Sequence, residues 1–102
     1  MPTRKGMIMA KLSRPEILNR MPTAKGWERD GVMIVRSWQF PSFRHALEFV
    51  NHVVAPAEKI DHHPDIVLSD RQVRLELSTH SVGGLTDRDF TIASEINALP
   101  TV

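Results

Sequence analysis

The sequence predicts an α+β fold: a four-stranded antiparallel sheet with three helices packed on one face, in the order α-β-β-α-β-β-α. Three observations carry the prediction. Asp30-Gly31 joins two apolar stretches, apolar residues recur at three- and four-residue steps from Phe43 to Ala57, and side chains alternate from Val73 to His80. An Asp-Gly pair in that setting marks a hairpin, helical spacing marks an amphipathic helix, and a period of two marks a half-buried strand. Two hairpins separated by a helix favour an antiparallel sheet covered on one side.

Each element has its own local cause. Ser13 caps a first helix with Pro15 in its opening turn and Glu16 completing a capping box; Ile17, Leu18 and Met21 form its apolar face, and Pro22 and Gly26 end it. Trp27 to Phe40 then forms two strands about Asp30-Gly31, with Trp38 and Phe40 sharing the parity of Ile34. Ser42 caps the second helix, whose expected buried stripe is Phe43, Ala46, Leu47, Val50, Val54 and Ala57; Arg44, His45, Glu48 and Asn51 take the other side. Pro56 should kink or loosen that helix, since an interior proline costs about 3 kcal/mol. His62-His63-Pro64 ends it, because a residue before proline disfavours the α region. Ile66 to Leu68 is a short strand, 69–72 a polar turn, and Val73, Leu75, Leu77 and Thr79 the inward side of the last strand. After Gly83-Gly84, Thr86 caps the third helix, Asp89 completes its capping box, and Leu85 with Phe90 forms a hydrophobic staple. Ile92, Ala93 and Ile96 supply its buried stripe, and Pro100 stops it.

The chain has 102 residues, a length for one small domain. Residues 1–12 read as an N-terminal extension open to disorder, and 13–102 as a single domain. Thirteen basic against twelve acidic side chains give a net charge of +1, too balanced for a dedicated nucleic-acid binder. There is no cysteine, which excludes disulfides, thiolate metal sites and thiol nucleophiles. Nothing approaches a membrane span of about 20 apolar residues. The run from Met7 to Ala10 is too short for a signal peptide, so a cytoplasmic protein is expected. A core this modest, with sheet edges to spare, favours self-association.

Histidine is in surplus, with three of five between positions 62 and 80. Glu58, Asp61, His62, His63 and His80 therefore form the candidate constellation for proton transfer on a small polar molecule. The plainer alternative for a His-His pair is a solvated helix end. Three histidines with a carboxylate also suit zinc, but the cluster lacks a His-x-x-x-His pair. His45 and His52 read as a solvated helix face, Trp27 and Trp38 as core or interface, and Asp89 as a cap. No phosphate-binding glycine loop or Gly-x-Ser-x-Gly elbow occurs.

The run Glu58-Lys59-Ile60-Asp61-His62-His63-Pro64-Asp65, followed by Leu77-Ser78-Thr79-His80 and Gly84-Leu85-Thr86-Asp87-Arg88-Asp89, resembles the pterin-4a-carbinolamine dehydratase family. Gly26-Trp27 and the stretch from Phe40 to Ala46 fit as well, so the resemblance spans about 13–98. It implies the same sheet and helices, assembled as homodimers or homotetramers. It implies a hydro-lyase that dehydrates 4a-hydroxytetrahydropterin to quinonoid dihydropterin in tetrahydrobiopterin recycling, with no metal or organic cofactor. By resemblance His62, His63 and His80 are catalytic, and Glu58, Asp61, Pro64, Ser78, Thr79 and Asp89 bind or orient the pterin. Typical members carry an aromatic residue after His-His-Pro, whereas 65–72 holds none. That departure and Pro56 motivate an alternative: a weakly active or inactive relative that works through protein contacts, as a transcription dimerisation cofactor or a RuBisCO assembly factor.

Overall fold

A computed structural model describes residues 10–101. The first helix, α1 (Arg14–Arg20), begins on the expected capping box: the Ser13 N–H donates to Glu16 Oε1 at 2.7 Å and the Glu16 N–H to Ser13 Oγ at 3.3 Å. The Ser13 N–H first, and the Ser13 hydroxyl after it, hold the Glu16 carboxyl below its usual value. A 3₁₀ turn, Met21–Thr23, follows.

Strand β1 (Glu28–Asp30) and strand β2 (Met33–Gln39) form the first hairpin, joined through Gly31 at φ +64. Strand β3 (Asp65–Ser69) and strand β4 (Gln72–Leu77) form the second. All pairs are antiparallel, in the spatial order β1-β2-β4-β3. The pairing Ile34↔Leu77, Arg36↔Leu75 and Trp38↔Val73 puts Val73, Leu75 and Leu77 beside Ile34 and Trp38 on the helix-covered face. The opposite face mixes polar side chains with Val35 and Val67, and on it Arg74 Nε donates to Glu76 at 2.8 Å. An antiparallel sheet in a two-layer fold can leave one of its faces uncovered.

Helix α2 (Phe43–Ile60), capped by Ser42, covers that sheet, but its buried side is not the expected stripe. Ala46, Phe49, Val53, Pro56 and Ala57 are buried, while Phe43, Leu47 and Val54 are 41–53% exposed. The helix is apolar around more than half its girth, and aromatic packing sets its rotation. Phe49 lies 4.8 Å from Trp38 and 5.2 Å from Phe40, ring to ring. Trp27 meets Trp38 edge-on at 5.8 Å, so both tryptophans belong to the core. Pro56 lies buried within the helix, which continues a full turn beyond it to Ile60. Helix α3 (Asp87–Asn97) buries Ile92, Ala93 and Ile96 beside α2. Most of the expected extension lies outside the described residues; Leu12, its last residue, is buried in the core.

Candidate active site

The site is built where α2 turns into β3. Asp61 takes a left-handed conformation, φ 57 and ψ 47, and its N–H reaches back to the carbonyls of Ala57 and Glu58. Aspartate tolerates that conformation better than most residues. The His62 N–H also returns to the Ala57 carbonyl, at 3.0 Å. The chain therefore reverses sharply, and the adjacent histidines enter different surroundings.

His62 turns inward and is 11% exposed; its Nε2 lies 2.6 Å from Oδ1 of Asp89, which is wholly buried. The other oxygen of Asp89 accepts from the Thr79 hydroxyl at 2.8 Å and from the Thr86 N–H at 2.9 Å. A hydroxyl has one proton, and Thr79 gives its proton to Asp89. Thr86 is then the donor in the 2.9 Å bond between the two threonine oxygens. Asp89 thus both completes the capping box of α3 and is the carboxylate that grips His62. Among the described residues no buried side-chain polar atom lacks a partner, so this network is closed.

His63 turns outward. Its Nε2 meets Glu58 Oε2 at 2.7 Å, with both side chains more than half exposed. Val53, Val54, Ala57, Pro64 and Ile66 complete a hollow of about 110 Å³ beside this pair. His80 is exposed and opens a 3₁₀ turn, His80–Val82, directly after Thr79. His62 and His80 therefore both depend on Asp89, one through its own ring and the other through its chain neighbour. Thr79 and Asp89 are buried, Pro64 lines the hollow, Ser78 is half-buried, and Asp61 is exposed at the cap. Thr86 is the member of the network that sequence reasoning had only as a cap. Its three-residue spacing to Asp89 was the available signal. His62 lies 27 residues from Asp89, and no local pattern reports such a pair. Among the described residues no group of three or more potential ligands is arranged for a metal ion.

The model of the family described as pterin 4 alpha carbinolamine dehydratase matches residues 10–99. The chain belongs to that family. A relative from Thermomicrobium roseum that carries the family's name is 42% identical over 91 residues, covering 89% of this chain and 98% of the relative. One from Roseiflexus sp. is 44% identical over 92 residues, covering 90% and 99%. Among solved structures, a transcriptional coactivator/pterin dehydratase from Brucella melitensis superposes with a TM-score of 0.82 at 32% identity, over 87% of this chain and 97% of that one. A pterin dehydratase-like protein identified as a RuBisCO assembly factor in the alpha-carboxysome shares the fold, with a TM-score of 0.57 at 18% identity over 71% and 83% of the two chains. The Brucella protein is titled both for a coactivator and for the dehydratase, whereas the likeness to the assembly factor is one of fold alone. The matched span contains every residue of the histidine network.

Proposed function

We propose that this member of the family dehydrates 4a-hydroxytetrahydropterin by general acid–base catalysis with His62, His63 and His80. The observation that carries the reading is the closed, buried network that fixes His62 through Asp89. Freezing an imidazole with a buried carboxylate is useful where a ring must present a defined nitrogen to a substrate. With Nε2 committed to Asp89, Nδ1 of His62 is the nitrogen left for proton exchange. Glu58 engages Nε2 of His63 at the surface.

The reaction needs no nucleophile. The C4a–O bond breaks, and one imidazole gives a proton to the departing hydroxyl, which leaves as water. Another imidazole takes the N5 proton, and the N5–H electron pair becomes the new C4a=N5 bond. Glu58, Asp61, Pro64 and Ser78 bind or border the pterin, whereas Thr79 and Asp89 act through the rings they hold. The hollow beside His63 is small against the ~300–1,000 Å³ of a typical ligand pocket. A bicyclic pterin would overhang it. Val54, exposed in this hollow, and Phe43 and Leu47, exposed earlier on α2, suit a homodimer or homotetramer that covers the overhang. The same apolar face supports the second reading, a weakly active relative that docks a protein partner such as RuBisCO or a transcription factor.

Turnover of synthetic 4a-hydroxytetrahydropterin is the test. Wild type should exceed the uncatalysed rate, and His62→Ala, His63→Ala and His80→Ala should each lose about a hundredfold or more. Wild type at background would leave protein docking as the function of this fold. Among the described residues no helix is long and apolar enough to cross a membrane, in keeping with the proposed cytoplasmic site of action.

A further inference from the structure

The loop that carries His80 is closed by Thr79 and Gly84, which pair backbone to backbone at 2.8 and 3.4 Å. Inside it the Val82 N–H reaches the Thr79 carbonyl, and the Gly83 N–H the His80 carbonyl, both at 3.1 Å. Gly83 has φ +67, which suits glycine. Gly84 does not lie in the left-handed region, so conformation does not demand a glycine there. Space does. A Cβ built on Gly84 would sit 2.9 Å from Lys11 Cε and 3.2 Å from its Cδ and Cγ.

Gly84 is buried, and the aliphatic stem of Lys11 lies across it. Lysine commonly lays its methylenes on a surface while the ammonium stays in water. The next residue is fastened harder: the Leu12 N–H donates to the Leu85 carbonyl at 2.8 Å, and the Leu12 side chain enters the core. The chain before α1 is therefore a strap over the base of the His80 loop. Thr79 anchors one end of that loop through Asp89, and the strap covers the other end at Gly84.

We propose that Lys11 and Leu12 are positioning residues for His80, a role that rests on the dehydratase reading above. The stem of Lys11 keeps water from the Thr79–Gly84 pair, and the Leu12–Leu85 bond holds the stem in place. With the pair intact, His80 leaves the sheet at one angle. With the pair open, the loop samples several, and a catalytic group displaced by ~1 Å can cost on the order of a hundredfold.

The test uses two variants of the full chain. Lys11→Ala removes the stem; Lys11→Met keeps an apolar side chain of similar length and removes the charge. Three quantities are measured: amide hydrogen exchange at Thr79, the ring resonances of His62 and His80, and kcat and KM for 4a-hydroxytetrahydropterin. Lys11→Ala should speed exchange at Thr79 and lower kcat, each by about tenfold, a fraction of the loss for full misplacement. It should broaden the His80 signals, leave those of His62 in place, and change KM little. Lys11→Met should resemble wild type in all three. Wild-type exchange and kcat in Lys11→Ala would overturn the proposal. So would an equal loss in Lys11→Met, which would make the ammonium the active part. Wild-type turnover at the background rate would sink the dehydratase reading alone. The exchange and ring signals would then still uphold or overturn the ordering of His80 by the strap.

Discussion

Asp89→Asn strikes the one group on which two of the three candidate histidines depend. The carboxylate accepts from His62 Nε2 at 2.6 Å, the Thr79 hydroxyl at 2.8 Å and the Thr86 N–H at 2.9 Å. An amide of the same shape has only one accepting oxygen. Facing Thr79 and Thr86, that oxygen preserves two of the bonds, and the NH₂ group then points at His62 Nε2. Two donors cannot meet, so His62 must move its proton to Nδ1 and accept through Nε2. The variant thus inverts the tautomer that the wild-type network holds. A hydrogen bond to a charged group contributes about 1.5–3 kcal/mol and a neutral one about 0.5–1.5. Neutralising three bonds should therefore cost about 3 kcal/mol. At about 4–8 °C per kcal/mol for a domain near this size, the melting temperature should fall by on the order of 15 °C. That remains within a typical stability of roughly 5–15 kcal/mol, so the fold survives at 25 °C. General acid–base groups contribute about 10²–10⁴-fold, and kcat should drop by at least the lower figure. The assay pairs initial-rate kinetics with ¹⁵N resonances of the histidine rings. If His62 kept its proton on Nε2 and kcat stayed within about threefold of wild type, the reasoning would be refuted.

Three further outcomes are expected. Phe49→Ala should lose about 3–5 kcal/mol in urea unfolding while Phe43→Ala loses little, because Phe49 is 2% exposed and Phe43 is 53% exposed; similar losses would mean α2 is rotated otherwise. Gly26→Ala should cost about 1–3 kcal/mol, since Gly26 has φ +85 and a Cβ there would stand 2.7 Å from Arg36 Cζ. An unchanged urea midpoint would show that the turn relaxes freely. The Glu16 carboxyl is held below its ordinary value, so its contribution is present above the ordinary carboxylate range and fades as pH falls through the lowered folded value. The stability gap between wild type and Glu16→Gln should accordingly narrow on acidification below about pH 5, and a gap independent of pH would disprove the capping-box account.

Local chemistry was legible in the chain wherever cause and effect lie within a few residues. The capping boxes at Ser13–Glu16 and Thr86–Asp89, the Asp30-Gly31 hairpin and the alternation from Val73 onward all appear in the fold as expected. Helix α2 was legible as a helix but not in its facing. Its apolar positions exceed what one sheet can cover, and the choice of Phe49 over Phe43 belongs to the rings of Trp38 and Phe40. Pro56 is placed by the same packing. Its local penalty is real, but a buried ring on a long, packed helix is offset by tertiary contacts.

The residue types of the candidate site, and their grouping near one helix end, are properties of the chain itself, because a proton-transfer site requires titratable side chains. How those side chains are shared out is a matter of tertiary packing. The left-handed turn at Asp61 sends His62 inward and His63 outward, although the two are neighbours with the same side chain. Asp89 becomes the grip on His62 only because α3 docks its first turn against the end of α2. The grip therefore depends on burial and on a contact across 27 residues, and local sequence encodes neither.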